Sequence, residues 1–265
     1  MIAVPTAPWA HAAFDLLAWT AGAAVAVMQH RRRPRPDAEL ARRTRPSYFI
    51  ALAIGALAGA WLAGSLNSLR WPAPALSHSV AGALAGGIVA VELWKKIAGV
   101  HGSTGGSFVA PLAVGIVVGR LGCLFAGLPD GTFGTPTDLP WAIDLGDGIG
   151  RHPVQLYESA AIALFAFIYW RALMAGRRWA VLHGFQAFVI AYAAQRFLWE
   201  WLKPYPPVIG PLNIFHLIAG GLIAYGCAYW NQPGADDGAL SVPQRDDEPV
   251  RDLPEAGAGQ GGHRG

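Results

Sequence analysis

The sequence predicts an all-α integral membrane protein with seven transmembrane helices, its N-terminus outside and its C-terminus in the cytoplasm. Three observations predict it. Of 265 residues, 53% are hydrophobic and only 14% charged, against about 25% charged in a soluble domain. Seven apolar runs approach or exceed the length of about 20 helical residues that crosses about 30 Å of hydrocarbon. The basic residues fall mostly on one side of the resulting alternation of runs and connections. The composition also excludes a disordered chain, and two cysteines exclude a disulfide scaffold. A formal charge of +3 without a concentrated basic face argues against a nucleic-acid partner. Eleven Trp and 33 Gly suit a bilayer, where Trp sits at the interfaces and Gly lets helices pack closely.

The runs follow in order. Run one, residues 9–28, is succeeded at once by Gln29-His30-Arg31-Arg32-Arg33. No Lys or Arg precedes it, so it reads as a span rather than a signal peptide. Run two covers residues 47–69, and run three covers 74–91, closing on Glu92 and Lys95-Lys96. The fourth, residues 107–125, contains Arg120. A connection rich in Pro, Gly and Asp, residues 127–152, leads into the fifth run, 153–174, which closes on Arg177-Arg178. Residues 179–201 form the sixth. A Pro-rich turn, 203–211, leads to the seventh, 212–230. These runs make one transmembrane domain, residues 1–230, without an internal repeat. Residues 231–265, polar, acidic and rich in Gly and Pro, read as a disordered cytoplasmic tail.

Orientation follows from the positive-inside rule. With the N-terminus outside, fifteen of the twenty basic residues face the cytoplasm, including Arg31–Arg33, Lys95, Lys96, Arg177 and Arg178. Five remain outside: Arg70, Arg120, Arg151, Arg196 and Lys203. Arg70, Arg151 and Lys203 read as interfacial residues. Arg120 and Arg196 lie deeper, each about five residues inside its run. Glu200, four residues after Arg196, shares its helix face, and Glu158 lies at a similar depth in run five. With a rise of about 1.5 Å per residue, all four lie within about 10 Å of the outer interface. Asp15, His78, Asn213 and His216 fall in the same zone. Charges in hydrocarbon are costly and are normally paired or line a wet cavity. Two Arg and two carboxylates from three runs therefore suggest one polar cavity open to the outer leaflet. A local Arg196–Glu200 pair and a snorkelling Arg120 are the plainer alternatives.

Three stretches carry the chemistry. In Gly119-Arg120-Leu121-Gly122-Cys123-Leu124-Phe125-Ala126-Gly127, small residues let a head group approach a guanidinium, whose planar fork suits a phosphodiester. In Arg151-His152-Pro153-Val154-Gln155-Leu156-Tyr157-Glu158, Pro153 fits a helix's first turn. That places His152 at a helix N-terminus, as a cap or as a proton acceptor. The third is Tyr192-Ala193-Ala194-Gln195-Arg196-Phe197-Leu198-Trp199-Glu200. Trp199 and Trp201 read as interfacial anchors, and Cys123 and Cys227 as small buried residues. The Gly-rich run His101–Gly106 reads as a cytoplasmic loop. No His or Cys spacing along the chain suggests a metal site, and no cofactor is expected.

Together these stretches resemble the prolipoprotein diacylglyceryl transferase family of the bacterial inner membrane. Gly119-Arg120-Leu121-Gly122 with Gly127, Arg151-His152-Pro153 with Gln155-Leu156-Tyr157-Glu158, and Arg196-Phe197 with Glu200 are similar to its motifs. The similarity runs from about residue 74 to 230 and is strongest over residues 112–158. The resemblance implies a multi-pass enzyme with its site open to the outer leaflet. Its expected partners are phosphatidylglycerol, lipobox-containing preprolipoproteins and membrane lipids. It implies transfer of the diacylglyceryl group to the lipobox cysteine thiol, with release of glycerol-1-phosphate. Arg120, Arg196, Glu200 and His152 are then the catalytic candidates. Arg120, Glu158, Tyr157 and Gln155 are the substrate-binding ones. The two arginines would hold the leaving phosphate, and the carboxylates would orient them.

The chain also departs from that family. Where the family carries a His-Gly-Gly motif near the start of the third span, a gapless match reads Ser79-Val80-Ala81-Gly82, with Val80 in place of His. His78, about 200° away on a helix, does not replace it. The first span reads Phe14-Asp15 in place of the family's Tyr, and the connection at residues 70–73 is short. Two alternatives stand beside transfer to a lipobox: a transferase with another acceptor, and a lipid-binding protein without catalysis on the same scaffold. A transporter fits less well, because transporters often show inverted repeats and midplane sites.

Overall fold

The computed structural model describes residues 1–32, 46–69 and 76–230. The expectations for the residue 70–73 connection, for Arg70 and for the 231–265 tail lie outside these. Among the described residues the regular elements are helices, apart from a two-residue parallel pairing of β1 (Ile2–Ala3) with β2 (Ile143–Asp144). Eight α-helices are described: α1 (Trp9–Arg32), α2 (Pro46–Ser68), α3 (Val80–Ala98), α4 (Val109–Ala126), α5 (Val154–Met174), α6 (Arg178–Leu182), α7 (Gly184–Glu200) and α8 (Ile214–Ala228). Short 3-10 turns at Gly106–Phe108 and Leu128–Asp130 flank α4. Apart from five-residue α6, each helix overlaps one apolar run, so the all-helical expectation holds. Among the described residues, four helical stretches meet the length and hydropathy of a membrane span: Trp9–Gln29, Pro46–Ser68, Gly106–Ala126 and Val154–Met174.

Two boundaries differ from the sequence reading. Run three does not begin a helix at residue 74. Ser79 has extended backbone, and its side chain accepts a hydrogen bond from Gly82 N, capping α3 at Val80. The helix then continues through Glu92, Lys95 and Lys96 to a left-handed Gly99. Run six is two helices, broken at His183. A side chain at Gly184 would collide with the Tyr169 ring, so the break lets α7 begin close against α5.

The apolar side chains divide in a way that suits lipid. Val109, Ile162, Phe188, Val189, Tyr192, Ala193, Phe215 and Ala219 form an interior shared by α4, α5, α7 and α8. Outside, Leu16, Trp19, Ile54, Leu57, Leu164, Phe167, Trp170 and Leu198 are exposed, at a cost in water of about 25 cal/mol per Å2. Only 6% of the α1 span is buried, so its apolarity serves the surroundings rather than a core. The helices meet through small residues. Gly55 and Gly59 of α2 face Gly86 and Gly82 of α3, where an added Cβ on any of the four would strike the opposite backbone. In hydrocarbon such close contact supplies van der Waals attraction that apolar side chains facing lipid cannot.

Candidate functional site

One end of the bundle gathers the start of α1, the start of α3, the end of α4, the start of α5, the end of α7 and the start of α8. Glu158 is its centre, on the first turns of α5, and is 1% exposed. Arg120 from α4 places Nε 2.9 Å from Glu158 Oε2. Arg196 from α7 binds Glu158 through Nη1, and its Nη2 lies 2.6 Å from Glu200 Oε1. Lys203, three residues beyond the end of α7, donates to Glu158 Oε1 at 2.8 Å and lies 3.6 Å from Glu200 Oε1. Three cations therefore face two carboxylates, leaving one net positive charge. All five residues are buried. The sequence expectation that Arg120, Glu158, Arg196 and Glu200 meet is met by this geometry.

Lys203 corrects the sequence reading. It is a buried member of the cluster, not an interfacial side chain. Burial and the nearby Arg196 push its ammonium pKa down, against the opposing pull of Glu158 and Glu200. Arg151 is corrected too. It is buried, and Nη1 and Nη2 donate to Asp147 at 2.6 and 2.8 Å, while its backbone bridges to Ile143. Arg151 thus shapes the 127–152 connection. Its hydrogen bonds hold the exposed Asp147 carboxyl below its ordinary value.

Asn213 links the cluster to α8. Its side-chain oxygen accepts from Phe215 N and His216 N, capping the helix, while its Nδ2 donates to Glu200 Oε2 at 3.2 Å. His216 Nδ1 accepts from Asn213 N, completing a capping box. The Arg196 guanidinium lies 5.3 Å over the Phe215 ring. Gln155, one turn before Glu158, is fully buried with neither amide atom hydrogen-bonded, and the buried Tyr192 hydroxyl is likewise unpartnered. Buried polar atoms are ordinarily paired, so a polar atom brought within reach of either side chain would be favoured there.

The other candidates lie apart from the ion pairs. Tyr157 accepts a hydrogen bond from Trp141 Nε1 at 2.8 Å and packs on Trp199, with the His152 ring 6.4 Å away. His152 Nδ1 is buried without a hydrogen bond. Tyr157 and His152 thus belong to an aromatic group beside the cluster. Trp201 is half exposed yet packs on His216 at 4.5 Å, so it is more than an anchor. Cys123 is buried and Cys227 exposed, which corrects the expectation for Cys227.

A second polar group adjoins the first through Arg120, whose Nη1 lies 3.8 Å from Cys123 Sγ. His11 of α1 bonds Asp130 through Nδ1, and its Nε2 lies 3.2 Å from Asp15 Oδ2. Thr132 donates to Asp130. His78 precedes α3 rather than riding on it, so the helical rotation argued from sequence does not apply. Its ring lies 5.9 Å from His11 and 6.0 Å from Trp61. Val80, the first residue of α3, is 42% exposed.

Comparison with known proteins matches residues 13–231 to the prolipoprotein diacylglyceryl transferase family. That covers more than half of the chain. The chain belongs to this family. It is similar to a phosphatidylglycerol–prolipoprotein diacylglyceryl transferase of Bordetella parapertussis, 37% identical over 150 residues, which are 53% of this chain and 52% of that one. A protein of the same name from Cupriavidus necator is 31% identical over 191 residues, 66% of this chain and 67% of that one. One from Nitratidesulfovibrio vulgaris is 34% identical over 157 residues, 56% and 57%. The match spans about half the length of the Bordetella relatives.

Proposed function

We propose that the chain transfers the diacylglyceryl group of phosphatidylglycerol to the cysteine thiol of lipobox-containing preprolipoproteins and releases glycerol-1-phosphate. The chain crosses the inner membrane seven times, N-terminus outside, with the cluster opening to the outer leaflet. The observation that carries the reading is the convergence of Arg120, Arg196 and Lys203 on Glu158 and Glu200 with one positive charge in excess. A phosphate arriving there meets cations already oriented, so little reorganisation is needed as charge develops on the leaving oxygen. Glu158 holds all three cations in place, and Glu200 adds a second hold on Arg196. Gln155 supplies unpaired amide atoms for the glyceryl oxygens. Tyr157 and His152 flank the entry side, where His152 is a candidate proton acceptor.

Complementation tests this. In cells depleted of their own transferase, the chain should restore mass-shifted, lipidated lipoproteins. Arg120→Ala should abolish the shift while the protein accumulates in the membrane. Full lipidation by that variant would overturn the assignment. A second reading, lipid binding without transfer, is favoured by Val80 standing where the family resemblance places a His. Retained phosphatidylglycerol on the purified chain, with no lipoprotein shift, would select it.

A further inference from the structure

We infer that Asn213 is a positioning residue for transfer: from the start of α8 it sets the place and plane of the Arg196 guanidinium. The inference rests on the transfer reading. Arg196 is gripped at both prongs, Nη1 by Glu158 and Nη2 by Glu200 Oε1 at 2.6 Å. Glu200 divides its two oxygens. Oε1 meets the cations, while Oε2 accepts from Asn213 Nδ2 at 3.2 Å. That hydrogen bond fixes the rotation of the carboxylate. Without it, Glu200 is free to turn both oxygens to Arg196, the bidentate arrangement that a carboxylate and a guanidinium favour. The guanidinium would then be drawn away from Glu158.

A second route to Arg196 starts from the same side chain. Asn213 Oδ1 accepts from Phe215 N at 2.9 Å and from His216 N at 3.0 Å. The Phe215 ring lies against the guanidinium, 5.3 Å from its carbon to the ring centroid, within the range of a cation–π contact. The cap therefore orients the ring on which Arg196 rests, while the amide nitrogen orients the carboxylate that holds it. Asn213, Phe215, Arg196 and Glu200 are all buried, and hydrogen bonds gain strength in such surroundings.

The residue type is what the two tasks demand together. Asn, Asp, Ser and Thr all cap a helix by offering a side-chain oxygen. Here two backbone N–H groups claim Oδ1, so the amide can present only Nδ2 to Glu200. Asp would cap as well, but would set a second carboxylate against Glu200. Ser would cap too, but its shorter side chain does not reach Glu200. The charged and titratable groups around this point are Glu200 and Arg196 from α7, Lys203 and Tyr205 from the turn beyond it, Glu158 from α5 and His216 from α8. They are common to the wild type and to variants at Asn213, so variant-to-wild-type ratios at each pH isolate the substituted side chain.

The test uses the full chain purified in detergent. Transfer is measured on a synthetic lipobox peptide, and retained phosphatidylglycerol is counted by native mass spectrometry. Asn213→Ser keeps the cap and loses the donor. Transfer should fall about tenfold or more, since a misplacement of about 1 Å costs up to about a hundredfold, while the melting temperature stays near that of the wild type. Asn213→Asp separates positioning from capping by the sign of its pH dependence. An ionised carboxyl is the better cap at a helix N-terminus, so capping alone gives relative transfer that holds at alkaline pH and falls in acid. Positioning gives the reverse. Relative transfer is low at alkaline pH and rises as acid places a proton on one of the two facing carboxyls, because the new O–H bridges them as the amide did. Wild-type transfer by Asn213→Ser, or the capping sign in Asn213→Asp, overturns the inference. Should Asn213→Ser fail to fold, Asn213→Asp, which keeps the cap, still gives the sign. A wild-type chain that transfers nothing overturns the transfer reading alone, and the same signs are then read on retained phosphatidylglycerol.

Discussion

The two ends of the bundle both bury charge, yet they bury it differently. At the far end, Lys95 donates to both Glu92 oxygens, at 2.9 and 3.0 Å, within a single turn of α3, and the Tyr225 hydroxyl donates to Glu92. One cation meets one anion on one helix, and the local charge sums to zero. At the near end, Glu158 is bound by Arg120, Arg196 and Lys203, from two helices and the turn beyond α7. The charges there do not cancel, and polar atoms of Gln155 and Tyr192 remain unpaired. Burial alone therefore does not mark a site. Convergence from several elements, with a residual charge and unsatisfied polar atoms, is what sets the near end apart.

The sharpest way to break this contrast is to remove the shared anion. Glu158→Ala leaves three buried cations with Glu200 alone, and breaking a buried pair costs about 3–5 kcal/mol. The variant should lose most of its folded population in detergent, read by size-exclusion and thermal melting, together with transfer. A stable Glu158→Ala protein would mean that the cluster is open to water. Next comes Arg120→Lys, which keeps the charge but loses the planar fork that reaches Glu158 through Nε and Cys123 through Nη1. Transfer should fall by about a hundredfold, the cost of one preorganised donor, with little change in melting temperature.

Those two residues also show what was legible in the sequence. Arg120, Glu158, Arg196 and Glu200 stood out because each interrupts an apolar run at a similar depth. Lys203 did not, since it follows the helix end and resembles any interfacial lysine. Its ammonium lies 5.7 Å from the Tyr205 ring, on the turn that leads to α8. His11 gave no signal either. It opens an apolar run, and its partner Asp130 lies 119 residues later, so only the packing of α1 on α4 brings them together. The break at His183 was hidden because the tight approach of Gly184 to Tyr169 is a tertiary fact.

Weaker tests probe charge pairs outside the cluster. Glu92→Gln leaves the buried Lys95 without its carboxylate, and the expected loss is about 1–3 kcal/mol, with transfer unchanged. A large loss of transfer would erase the distinction between the ends. The smallest effect is expected at Asp147. Arg151 holds its folded carboxyl below the ordinary value of 3.8, so the pair's stabilisation is present above that value. It disappears as pH falls through the lower folded value. Asp147→Asn should lower the melting temperature slightly at neutral pH and flatten its fall in acid, measured as a pH series of melts.

The two-residue pairing of Ile2–Ala3 with Ile143–Asp144 sets a timetable for biogenesis. Ile2 and Ala3 are made early, yet their partners emerge about 140 residues later, on the order of ten seconds at ordinary synthesis rates. Lys203 and Asn213 follow later still. A ribosome-bound or prematurely ended chain can hold inserted helices without a complete ion cluster. The complete ion cluster is therefore withheld until nearly the whole bundle has been made.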